Sequence, residues 1–62
     1  MLRHGDTYIS HAVTYIVVEK EGLYKLVNIV QREPVTTLLS KNNMVNFLKD
    51  PNNNLKQIGS GD

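Results

Sequence analysis

Sixty-two residues allow one domain, and a chain of that length buries only about 60% of the surface its unfolded form exposes. The absence of cysteine excludes disulfides and thiolate zinc sites as compensation, and is compatible with a reducing cytosol. Seven Lys and Arg against six Asp and Glu leave a net charge of +1, too little for the electrostatic footprint of a nucleic-acid binder and of the wrong sign for a DNA mimic.

The start, "MLRHGD", has no apolar stretch behind it and does not read as a signal peptide. No apolar run approaches the roughly 18 residues of a membrane span. The expectation is a cytoplasmic protein with no membrane association.

In chain order, "GDTYIS" opens with a turn and continues as a short strand, Thr7 to Ile9. β-Branched and aromatic residues from Val13 to Val18 favour a second strand. "EKEG" reads as a four-residue hairpin loop in which Gly22 takes positive φ, and "LYKLVNIV" as the return strand. "QREP" is the next turn, with Pro34 where no ladder bond is required, and "VTTLLS" predicts a fourth strand, Val35 to Leu39. At Ser40 the period changes. Ser40 suits a helix N-cap that accepts from the N–H of Asn42 or Asn43, and Met44, Val45, Phe47 and Leu48 recur on one helical face. Pro51 ends that helix, predicted over Lys41 to Lys49, because the residue before a proline leaves the α region. "NNN" is a loop, "LKQI" a short fifth strand, and "GSGD" a flexible tail. The seven asparagines fall in turns and on the helix's polar face, where local hydrogen bonds account for them.

The domain is therefore expected over residues 1–58, with a tail over 59–62. Its class is α+β, mostly β: a five-stranded antiparallel meander with one short helix before the last strand. Short sequential connections demand antiparallel pairing. The pattern resembles an SH3-like small barrel; an open sheet with a helix on one face is the other architecture it allows.

Closing the hairpin over Glu19–Gly22 pairs Val18 with Leu23 and sorts the side chains into two faces. Tyr15, Val17, Tyr24 and Leu26 lie on one; Ile16, Val18, Leu23, Val27 and Ile29, with Lys25 near the edge, lie on the other. The second set is the more aliphatic and is expected to form the core under Met44, Phe47 and Leu48. The first set is then the candidate contact surface, since tyrosine joins an apolar body to a polar tip. A barrel that buries this set itself is the alternative.

His4, Asp6 and His11 are the one set of metal-ligand types near each other in sequence, without an evident fourth ligand. Asp6, Ser10 and His11 have the residue types of a nucleophilic triad, but sequence proximity does not make its geometry. No glycine-rich phosphate loop precedes a helix. No metal, cofactor or catalytic residue is assigned, and enzymatic activity is not expected. Tyr8, Tyr15 and Tyr24 with Lys20, Lys25 and Arg32 suggest base stacking beside phosphates, but Glu19, Glu21 and Glu33 cancel that field.

The run "GDTYI…TYIVV…EGLYKLVNIV", a short helix and "LKQI" resemble small proteins carried by phages and prophages of Gram-positive bacteria. The resemblance implies a viral protein in the host cytoplasm that binds a host protein, including components of anti-phage defence. The leading expectation is a non-enzymatic protein-binding module, a phage-encoded inhibitor acting as a homodimer through Tyr15, Val17, Tyr24 and Leu26. A small barrel binding nucleic acid and a structural accessory subunit of a larger assembly are the alternatives.

Overall fold

Residues 1–61 are described by a computed structural model, in which five antiparallel strands form one open sheet beside a single short α-helix. The strands are β1 (Thr7–Ser10), β2 (Val13–Lys20), β3 (Leu23–Asn28), β4 (Glu33–Pro34) and β5 (Lys56–Gly59). Their order across the sheet is β4-β3-β2-β1-β5. The mostly-β class is as expected; the five-stranded meander holds only for β1 to β4, because β5 crosses back to pair with β1 instead of β4. The SH3-like barrel is not, because β4 pairs only with β3 and β5 only with β1, which leaves two edges apart.

Two-residue turns build the meander. His11 and Ala12 (φ 50° and 66°) join β1 to β2; Glu21 and Gly22 (φ 53° and 82°) join β2 to β3. Positive φ at both central positions is the geometry that matches the twist of a hairpin. The second turn is tighter than the expected Glu19–Gly22 loop. Glu19 and Lys20 stay in the strand, and Lys20 rather than Val18 pairs with Leu23. Glu19 Oε2 accepts the Gly22 N–H at 2.7 Å, so that carboxylate braces the turn. The register thus slips by two residues, and every side chain keeps its face.

After β3, Asn28 Oδ1 accepts from the N–H groups of Val30 and Gln31, and the Arg32 N–H donates to the Asn28 carbonyl at 2.7 Å. The expected strand Val35–Leu39 is broken. Val35 donates to the Leu26 carbonyl and Leu39 bridges Tyr24, but between them the Thr36 hydroxyl accepts the Leu26 N–H that a strand carbonyl would have taken.

The helix α1 (Lys41–Lys49) has the expected bounds. Ser40 Oγ accepts the Asn43 N–H at 3.2 Å, and Asp50 is extended before Pro51. A 3-10 turn, Pro51–Asn53, follows, and the Asn53 side-chain amide donates to the Phe47 carbonyl at 2.8 Å, beside the Asp50 N–H that the same carbonyl accepts at the helix end. The expected flexible tail is instead tied down as far as Gly61: Gly59 ends β5, and the Gly61 N–H donates to Asp6 Oδ1 at 2.7 Å. Asp62 lies outside the described residues.

The helix packs on the face opposite to the one expected. Val17, Leu26, Met44 and Leu48 form the buried cluster, with Tyr8, Tyr15, Tyr24 and Phe47 half-buried around it. The tyrosine-bearing face is the core. Phe47, expected deep inside, sits at the margin of that core.

Candidate functional site: the open face of the sheet

Alternation fixes what the far face carries. Ile9 on β1, Ile16 and Val18 on β2, and Val27 on β3 point away from Val17 and Leu26, by the register of the three ladders. All four are half-buried by their sheet neighbours, and none belongs to the hydrophobic side chains packed around the core cluster. Thr7 and Thr14 lie between them. Ile29 extends the patch beyond β3, where its N–H donates to the Thr14 carbonyl at 3.1 Å. Leu23 and Ile29 are 40% and 41% exposed at its margins. The one α-helix among the described residues is spent on the other side.

The charges on this face are Lys20 and Lys25, towards the β2–β3 turn, and Lys56, on the edge strand β5 opposite Ile9. Its centre, around Ile16 and Val27, is uncharged. The aliphatic side chains of this face are contiguous across β1, β2 and β3.

Tyr15, Val17, Tyr24 and Leu26, expected as a contact surface, lie on the face that α1 covers. Val17 and Leu26 are 0% and 1% exposed, and Tyr15 and Tyr24 pack beside them under α1. The true open face comprises residues that sequence reasoning assigned to the core. Tyr8, Tyr15 and Tyr24 pack half-buried against the core cluster.

The polar residues singled out as possible chemistry hold backbone in place. Asp6 is buried, and its two oxygens accept the N–H groups of Arg3 (2.9 Å) and Gly61 (2.7 Å). His4 Nδ1 accepts the Glu19 N–H at 2.9 Å, and the Ser10 hydroxyl donates to the Asn53 carbonyl at 3.0 Å. His11 stands exposed in the β1–β2 turn. Among the described residues, no group of three His, Cys, Asp or Glu side chains is placed to hold a metal ion. A half-open cleft of about 300 Å³ remains where α1 leaves β1 and β5 uncovered, floored by Leu2, Val45 and Leu48 beside Tyr8. No described helix is long and apolar enough to cross a membrane.

The Tyr8 phenol holds its proton more tightly than a free one. Burial, and after it the negative charge of Asp6, raises its phenol above the ordinary value of 10.0. The unfolded chain ionises first as pH rises, so stability present below pH 10 is lost on moving up through the folded-state value. Tyr8→Phe should flatten this alkaline loss. Urea denaturation of both proteins across that range checks it, and equal slopes would show that Tyr8 does not govern it.

No known protein family matches the chain, and no match is found among curated proteins or solved structures.

Proposed function

We propose that this chain is a non-enzymatic protein-binding module whose working surface is the open face of the sheet. What carries the reading is the uncovered aliphatic patch of Ile9, Ile16, Val18 and Val27. Burying such a patch stabilises a complex by roughly 25 cal/mol per Å² of apolar surface before the costs of association are subtracted. A phage-encoded inhibitor of a host protein, acting in the host cytoplasm, is the form of this function that the resemblance to small phage proteins suggests.

The test places a photo-reactive benzoylphenylalanine at Lys25, beside the patch, and as a control at Lys41, which begins the helix on the other side. Irradiation of expressing cells should give protein adducts from position 25 and not from position 41. Adducts from neither position, or from position 41 alone, would remove the open face as the working surface.

A further inference from the structure

The partner on this face follows from its layout, and the inference rests on the open face being a working surface. We infer that a second copy of the chain covers it, giving a two-fold dimer in which two sheets pack face to face between outer helices.

Self-complementarity comes first. β2 is the middle strand of five, with β1 and β3 on either side. A two-fold axis along β2 lays β1 of one copy over β3 of the other. Ile16 then meets its own counterpart at the axis, Val18 meets Val18, and Ile9 faces Ile29, because Ile9 and Ile29 are both level with Thr14. An isologous contact asks only that a patch suit itself in this way. β-Branched side chains on twisted sheets interdigitate across the roughly 10 Å spacing of a sandwich.

Area comes second. The protein measures 29 × 23 × 21 Å. A broad face of such a body projects roughly 500–650 Å², so two copies cover on the order of 1,200 Å², the lower end of the range for stable complexes. The isolated chain needs this burial. Among the described residues its buried hydrophobic core is four side chains, Val17, Leu26, Met44 and Leu48, and domains this small are commonly completed by oligomerisation.

Charge separates a second copy from an acidic partner. Lys25 and Lys56 flank the patch, Lys20 follows Val18 on β2 and meets its own counterpart on the axis, and the strand positions facing this way hold no carboxylate. In a dimer these lysines repel, so added salt should tighten association, roughly two- to threefold between low and high ionic strength. A carboxylate-rimmed partner would be released by the same change.

Sedimentation equilibrium of the full chain, from micromolar to millimolar concentration and at both ionic strengths, tests the inference. The expected result is a monomer–dimer equilibrium that salt tightens. Ile16→Lys should be a monomer, with Val18→Lys as a second variant should the first not fold, while Asn46→Lys on the helix should dimerise like wild type. A wild-type protein that stays monomeric at millimolar concentration overturns the inference, as does a dimer that survives both Ile16→Lys and Val18→Lys. Monomeric protein that still cross-links to a different protein from position 25 removes the second copy and leaves the binding module standing. Monomeric protein without any adduct removes both.

Discussion

Leu26→Ala is expected to remove a large part of the protein's stability. Leu26 is 1% exposed at the middle of β3 and belongs to one cluster with Val17, Met44 and Leu48. Truncating a buried leucine costs about 2–5 kcal/mol, partly as lost transfer energy and partly as the cavity left behind. Against the roughly 5 kcal/mol at the low end for small domains, that is most of the stability. Val30→Ala makes the comparison, because Val30 is 80% exposed at the β3–β4 loop and its truncation removes almost no packing. Urea denaturation followed by circular dichroism should separate the two variants by at least about 2 kcal/mol. Equal midpoints would mean that the helix does not cover the tyrosine-bearing face.

Asp6→Ala is the second large effect. A buried carboxylate that accepts two backbone N–H groups is held by charge-assisted bonds, and here those bonds tie the segment before β1 to the segment after β5. Its removal strands the N–H groups of Arg3 and Gly61 and should cost about 2–4 kcal/mol. Gly61→Ala attacks the same junction from the other side, since a Cβ there would overlap the His4 carbonyl. The two substitutions break one contact, so the double variant should lose little more than the worse single one. Additive losses, measured by thermal or urea denaturation, would show that Asp6 and Gly61 act independently.

Much of the local structure was legible. Ser40 as cap, Met44 and Leu48 at helical spacing, and Pro51 as stop define α1, because each acts within a turn or two of the chain. The two faces of the β2–β3 hairpin were sorted correctly despite a register two residues off, because that slip preserves alternation. Which face is inside was not legible from aliphatic content. β4 and β5 run in the same direction at opposite edges, so the segment carrying α1 is a crossover. A crossover takes its hand from the twist of the strands, and topology thereby selects the face the helix covers. The outlying residues followed: Leu2, Tyr8, Leu39 and Leu55 join the tyrosines on the covered side. The break in the expected fourth strand was equally hidden, since nothing local marks Thr36 as the group that accepts the Leu26 N–H. Tyr15, Val17, Tyr24 and Leu26 were read as the outer face for the same reason.

The contact between Gly61 and Asp6 has a consequence in time as well as in energy. It joins residues 55 positions apart, nearly the whole length of the chain. Closing so long a loop is entropically unfavourable until the meander has already brought β5 alongside β1. The contact therefore belongs to the last stage of folding and is absent from the barrier. Interactions of that kind leave the folding rate nearly unchanged and act on the rate of unfolding. In stopped-flow measurements Asp6→Ala should shift the unfolding limb to faster rates while the refolding limb superimposes on wild type. The two ends of this small chain thus work as a latch, setting how long the native state survives once it has formed.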